Sequence, residues 1–116
     1  MLDQSRIDDL RGRPVGPGLH IIDGMSGPSD DGATLPVISP IDGQTLTEIA
    51  AGGEAEIDRA VIAARRAFED GRWSGLAPHA RGRILQRISE AIEAEADALA
   101  VLGVRDNGTE ISMARK

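Results

Sequence analysis

The sequence predicts an α+β fold in which short antiparallel β-ribbons come first and amphipathic helices follow. The first half alternates short β-branched runs with Gly, Pro, Ser and Asp, which are turn residues. The second half carries apolar residues at helical spacing over two long stretches. Hydrophobic residues make up 41% of the chain but aromatic residues only 2%. We therefore expect a thin core, because aromatic side chains bury the most area each.

The chain begins with a charged segment that is poor in apolar residues. Residues 1–18 end in GRPVGPG, and we interpret them as a flexible N-terminal arm with a short helix at residues 4–10. Three strand candidates follow, in the order LHIIDGM, ATLPVISP and TLTEIA. Pro36 and Pro40 confine the middle strand to a sheet edge or a short paired stretch, because proline donates no backbone hydrogen bond.

The first long helix is predicted at residues 54–69. Acidic residues lie near its start and arginines near its end, as the helix macrodipole favours. Its apolar residues recur at helical spacing on one face. They are Ile57, Ala60, Val61, Ala64 and Phe68.

A second helical region begins near Pro78, a residue that suits the first turn of a helix. Like charges crowd residues 90–97, so we expect two helices with a break near Glu95 and Asp97 as a cap of the second. The periodicity alone is also compatible with one long helix. The sequence DNG at residues 106–108 predicts a helix end, and a further helix is expected to start just after it.

Composition excludes several functions. The net charge is -6, from 19 acidic and 13 basic residues, which argues against a nucleic-acid partner. The chain has no cysteine, so disulfides, thiolate metal sites and a thiol nucleophile from this chain are excluded. No apolar run reaches membrane-spanning length and the N-terminus lacks a signal-peptide pattern, so we expect a cytoplasmic protein without a membrane partner.

The residues themselves indicate no active site. Neither a dinucleotide-binding nor a phosphate-loop glycine pattern occurs. His20 and His79 lie far apart and lack further ligands at organised spacing, and the acidic residues 90–97 fit a solvated helix face. The serines at positions 39, 74 and 89 have no histidine at a catalytic spacing.

Four motifs occur together in a recognisable order. They are SPxxG, EIDRAVxAARxAF, WxxLxPxxRxxIL and VRDNG. This ordered set over about residues 19–116 resembles the N-terminal part of the NAD(P)-dependent aldehyde dehydrogenases. The sequence departs from the family after DNG, where Thr109 and Glu110 stand in place of the common Lys-Pro.

The resemblance implies an α/β, Rossmann-type fold for a complete enzyme, which would be a homo-oligomer. The implied reaction oxidises a small-molecule aldehyde to a carboxylic acid with NAD or NADP, using a cysteine nucleophile. The family's cysteine and main cofactor-binding sheet lie downstream, so no catalytic or cofactor-binding residue is assigned here. We expect residues 19–116 to be the front of a longer domain truncated at Lys116, and the chain alone to be inactive.

One site carries over by resemblance. Many family members hold a structural monovalent cation through backbone carbonyls before the Asn-Pro turn and through the Asp of DNG. The matching positions are Val37, Ile38 and Asp106. Alternatively, Asp106 simply caps a helix end or a turn.

Two further interpretations stay open. The motifs PIDG, RRAFEDGRWS and LAP resemble those of the gamma-glutamyl-gamma-aminobutyraldehyde dehydrogenase-like subgroup, whose members act on amino-aldehydes. The alternative to an enzyme segment is a stand-alone, non-catalytic helical interaction module derived from the family. Such a module would fold cooperatively by itself.

Overall fold

The computed structural model describes residues 3–115. Its elements follow the predicted order, with strands before the long helices and one short helix in front. In chain order they are α1 (Gln4–Gly12), β1 (His20–Ile22), β2 (Met25–Gly27), β3 (Thr34–Ile38), β4 (Thr45–Ala50), α2 (Glu54–Glu69), α3 (Pro78–Ala94), α4 (Ala96–Asn107) and α5 (Ile111–Ala114).

The first ribbon is a hairpin of β1 and β2, with Ile22 paired to Met25. Its turn is formed by Asp23 and Gly24, whose φ angles are 54° and 77°. An Asp-Gly pair with positive φ at both positions closes a tight two-residue hairpin. LHIIDGM therefore contains a strand, a turn and the start of another strand, where the sequence predicted one strand.

The second ribbon pairs β3 with β4 in antiparallel fashion, from Thr34 opposite Ala50 to Ile38 opposite Thr45. Its register shifts between Val37 and Ile38, which marks a β-bulge. This is a two-stranded sheet, so β3 has a free edge, as its proline content predicted. The predicted antiparallel ribbons are confirmed.

The helices follow the predicted boundaries closely. α2 has the predicted span, and α3 begins at Pro78. The region breaks into two helices at Glu95, which serves as C-cap of α3 and N-cap of α4. Asp97 is not the cap: it lies in the first turn of α4, where its carboxylate accepts a hydrogen bond from Arg115 at 2.7 Å.

The N-terminal helix is packed against the rest of the chain. α1 contacts α4, and Leu10 is buried there. The helix ends two residues beyond the predicted residue 10 because Arg11 and Gly12 continue it. The predicted flexibility of residues 1–18 stays a prediction.

The molecule is a thin layer with a very small core. Its extents are 47 × 40 × 18 Å and its radius of gyration is 17.7 Å, whereas a compact domain of this length has a radius of roughly 13 Å. Its accessible surface is 8585 Å², against roughly 6,000 Å² for a compact monomer of this mass. Among residues 3–115, the buried apolar residues are Leu10, Ala100 and Val101.

The long helices leave large apolar side chains uncovered. Phe68 is 71% exposed and Val61 61% exposed on α2, and Leu85 is 56% exposed on α3. The predicted apolar stripes therefore exist but have no partner within residues 3–115. None of the helices in that range has the length and apolar character needed to cross a membrane.

Candidate functional site

The three residues of the expected cation site lie at two element ends that approach each other. Val37 and Ile38 end β3, and Asp106 lies in the last turn of α4. Gly108, the residue after α4, and Pro40, two residues after β3, lie close together. A Cβ atom added at Gly108 would lie 3.3 Å from Cγ of Pro40.

The backbone around these residues is irregular in a way that suits oxygen ligation. The β-bulge at Val37 and Ile38 interrupts the regular hydrogen-bond ladder, as bulges do. Asp106 is exposed, and the C-cap of α4 is Gly108, whose N–H donates to Val104 O at 2.9 Å. Carbonyl and carboxylate oxygens are the ligands that hard cations prefer. The three residues thus offer oxygen atoms of the kind that a hard cation binds.

A polar cavity of about 240 Å³ lies beside this junction and includes Arg11, Ser39, Asp42 and Arg105 in its lining. The backbone N–H of Gln44 donates to Asp42, and this bond, followed by one from the Ser39 hydroxyl, lowers the pKa of the Asp42 carboxyl. The cavity therefore holds an ionised carboxylate between two guanidinium-bearing residues.

A buried polar cluster ties the ribbons to the start of α2. Ser29, 3% exposed, donates its only hydroxyl proton to Ala51 O at 2.5 Å. Nε2 of His20 lies 3.0 Å from the same hydroxyl oxygen. Because that oxygen can only accept here, Nε2 of His20 must carry the proton. The spacing of residues in the sequence did not predict this serine–histidine contact. Ser29 is buried and its proton is already donated to Ala51 O, so it is not available for nucleophilic attack.

Glu56 is the centre of the second part of this cluster and is only 5% exposed. Its carboxylate accepts hydrogen bonds from the backbone N–H of Asp30 at 3.0 Å and of Gly53 at 2.9 Å. These two bonds, in that order, lower the pKa of Glu56 from its ordinary 4.5 to about 2. Arg59 donates to Glu56 at 3.0 Å and forms two bonds to Asp30 at 2.6 and 3.0 Å.

Sequence reasoning assigned Glu56 only to the helix macrodipole. The structure adds that it closes the N-terminus of α2 through Gly53 and holds the loop at Asp30. A glutamate three residues after an N-cap is the sequence signal for such a contact, whereas its bond to residue 30 is a tertiary feature.

A second cavity of about 410 Å³ lies between the β1–β2 hairpin and α2. Ile22, Met25 and Ile62 supply apolar lining, and the ion-paired side chains of Asp23 and Arg66 form part of its wall. His20 lines this cavity too, whereas His79 is the second residue of α3. Over residues 3–115, no group of three His, Cys, Asp or Glu side chains could hold a metal ion.

We predict that Glu56→Gln destabilises the chain in a pH-dependent way. The lowered pKa means that ionised Glu56 stabilises the fold above pH 4.5, and that this contribution is lost as the pH falls to about 2. Urea-unfolding midpoints of the wild type and the variant should therefore differ most at neutral pH and converge between pH 4.5 and 2. Glu54→Gln in the same turn, where the side chain is exposed, is the control. A midpoint difference that stays constant over this pH range would contradict the prediction.

We also predict opposite effects for two glycines of the α4 region. Gly108 has φ 76°, and an added Cβ would press on Pro40, so Gly108→Ala should lower the free energy of unfolding by about 1 kcal/mol or more. Gly103 lies inside α4 with open space around it, so Gly103→Ala should raise it by about 0.5 kcal/mol. Urea titration of both variants measures this, and equal effects would refute the proposed contact between Gly108 and Pro40.

Known proteins resemble this chain in sequence and in fold. The family model described as the aldehyde dehydrogenase family matches residues 28–116. Human mitochondrial 10-formyltetrahydrofolate dehydrogenase is 35% identical over 95 residues, which cover 82% of this chain and 10% of that protein. The chain thus spans about a tenth of that relative's length.

Two solved structures superpose on almost the whole chain. Gamma-glutamyl-gamma-aminobutyraldehyde dehydrogenase from Burkholderia cenocepacia J2315 has a TM-score of 0.92 and 36% identity, covering 99% of this chain and 23% of that one. Indole-3-acetaldehyde dehydrogenase in complex with NAD+ has a TM-score of 0.90 and 33% identity, with coverages of 99% and 23%. Sequence and fold agree, and the chain belongs to the aldehyde dehydrogenase family, corresponding to the N-terminal part of its fold.

Proposed function

We propose that this chain is the N-terminal segment of an enzyme that oxidises an aldehyde to a carboxylic acid with NAD or NADP. The observation that carries this proposal is a superposition. Nearly the whole chain matches about a quarter of the length of each of two known aldehyde dehydrogenases. One of those enzymes is described in complex with NAD+. NAD or NADP would supply the hydride acceptor, and parts of the enzyme outside residues 3–115 would bind it.

The segment contributes scaffold. It is a layer 18 Å thick whose long helices expose their apolar faces. Burying a large apolar side chain contributes about 1.5–3 kcal/mol, so these faces gain stability only when a second layer covers them. The thiolate nucleophile comes from outside the segment, since none of its 116 residues is cysteine.

The substrate class within this proposal is an amino-aldehyde of the kind handled by gamma-glutamyl-gamma-aminobutyraldehyde dehydrogenases. The 36% identity to such an enzyme supports this substrate class. The motifs PIDG, RRAFEDGRWS and LAP support it as well. The proposal also includes assembly as a homo-oligomer, a cytoplasmic location, and a division into an arm at residues 1–18 and a domain segment from residue 19.

The proposal further assigns a structural monovalent cation to Val37, Ile38 and Asp106. The carbonyl oxygens of the first two would bind the cation, and the carboxylate of the third would balance its charge. Support comes from the bulge at the end of β3 and from the contact between Gly108 and Pro40, which brings the two element ends together. The cation would fix these ends and takes no part in the chemical step.

A hybrid enzyme tests the main proposal. Residues 1–116 replace the matching quarter of the Burkholderia cenocepacia enzyme. We expect the purified hybrid to reduce NAD in the presence of its aldehyde, and the isolated chain to show no such activity. An inactive, well-folded hybrid would contradict the scaffold role, and activity of the isolated chain, with contaminating enzyme excluded, would contradict the catalytic assignment.

Two variants on α2 sharpen this experiment. Val61→Asp places a charge on the exposed apolar face and should abolish a soluble, active hybrid. Arg65→Gln, one turn along the same helix, removes only a solvent-exposed ion pair with Glu69 and should leave activity largely intact.

The cation assignment has its own prediction. Potassium chloride should raise the urea-unfolding midpoint of the wild-type chain above that in choline chloride of equal ionic strength, because a bound ion stabilises the folded state. Asp106→Asn should remove the potassium effect, whereas Asp58→Asn, at an exposed position of α2, should retain it. Equal midpoints in the two salts for the wild type would refute the cation site.

A further inference from the structure

The N-terminal residues 4–18 touch two elements that have little direct contact with each other. At one end of this segment, α1 packs on α4, where Leu10 is 5% exposed and Val101 4% exposed. Arg105 of α4 also donates from Nη1 to the carbonyl oxygen of Arg13 at 2.8 Å. The segment is therefore fixed to the last turns of α4, next to Asp106.

At its other end the segment runs beside β4 as a short parallel bridge. The N–H of Gly18 donates to Glu48 O at 2.8 Å, and the N–H of Ala50 donates to Gly18 O at 2.8 Å. The hydroxyl of Thr47 donates to Gly16 O at 2.9 Å. These three bonds hold residues 16–18 on the outer edge of the β3–β4 ribbon.

The close approach to β4 depends on one glycine. A Cβ atom at Gly18 would lie 2.7 Å from Cγ2 and 3.3 Å from Cβ of Ile49, which is closer than a side chain can tolerate without movement. At Gly16 an added Cβ would meet nothing within 4 Å. Gly18 therefore sets how near the segment lies to the ribbon, and Gly16 does not.

Other links between α4 and this ribbon are few. Within residues 3–115, the extensive packing of α4 is with α1 and α5. Its direct link to the end of β3 is the contact of Gly108 with Pro40. Residues 4–18 thus add helix packing and hydrogen bonds to the connection between the two.

We propose that residues 4–18 act as a strap, which fixes the end of α4 against the β3–β4 ribbon and so positions Asp106 relative to Val37 and Ile38. The positioning rests on the contacts above. Its consequence for a cation rests on the cation role proposed in the previous subsection. Residues 4–18 are then a structural part of that site although they contribute no ligand.

The absence of cysteine from the sequence allows a direct distance measurement. Spin labels are attached to Gln44→Cys in the ribbon turn and Glu110→Cys just after α4, both at exposed positions. Electron paramagnetic resonance then reports the distribution of distances between the two labels. Gly18→Ala should broaden this distribution, and Gly16→Ala, two residues away, should leave it unchanged.

A second pair of variants guards against general unfolding. Thr47→Val removes the hydroxyl bond to Gly16 while keeping the side-chain shape, and should broaden the distribution. Thr47→Ser restores the hydroxyl and should return it to the wild-type width. Circular dichroism verifies that helix content is retained. If Gly18→Ala unfolds the chain, the comparison of Thr47→Val with Thr47→Ser tests the strap instead. If the label distances in Thr47→Val have a distribution as narrow as in the wild type, the proposed role of residues 4–18 as a strap is refuted.

Potassium dependence separates the strap from the cation site. A smaller potassium-induced rise in the urea midpoint in Thr47→Val than in Thr47→Ser supports positioning of Asp106 by the strap. An equal rise in both variants refutes that link. If the wild type itself shows no potassium effect, the cation proposal fails, and the label distances still decide whether residues 4–18 hold α4 to the ribbon.

Discussion

The long helices of residues 3–115 have no second layer of structure against their apolar faces, where Phe68 is 71% exposed and Leu85 is 56% exposed. An α-helix with its side chains is about 10–12 Å across, and stable domains bury a core between at least two such layers. Residues 3–115 therefore leave one face of their long helices uncovered. This single constraint explains the small buried core, the large exposed apolar side chains, and an accessible surface well above that of a compact protein of this mass.

One buried polar cluster links parts of the chain that share little apolar packing. Most ion pairs of residues 3–115 are solvent-exposed, and such pairs contribute little stability. The contacts of Glu56 differ because its carboxylate is buried and accepts two backbone N–H bonds. It joins the loop before β3 to the start of α2, two regions that apolar packing alone does not connect strongly.

These two features suit a scaffold segment whose exposed apolar faces are covered by a second layer. The ribbons, the N-terminus of α2 and the α1–α4 pair are each fixed by local or polar contacts, whereas the exposed faces of α2 and α3 remain available. Under the function proposed above, this segment supports a domain whose catalytic residues come from other parts of the enzyme. The serine–histidine contact of Ser29 and His20 is consistent with this division, since its proton is donated to the backbone.

The sequence alone determined the types of element and their general order, the boundaries of α2 and the family, and it favoured the observed break at Glu95. These features depend on local periodicity, on capping residues and on glycine, all of which act within a few residues along the chain. The sequence predicted one strand at LHIIDGM, where the structure has a turn at Asp23 and Gly24. It also predicted Asp97 as a helix cap, although that carboxylate accepts a hydrogen bond from Arg115. Only the tertiary structure showed the burial of Glu56, the path of residues 4–18 from α4 to β4, and the approach of Gly108 to Pro40, because these contacts join residues far apart in sequence and leave no periodic signal.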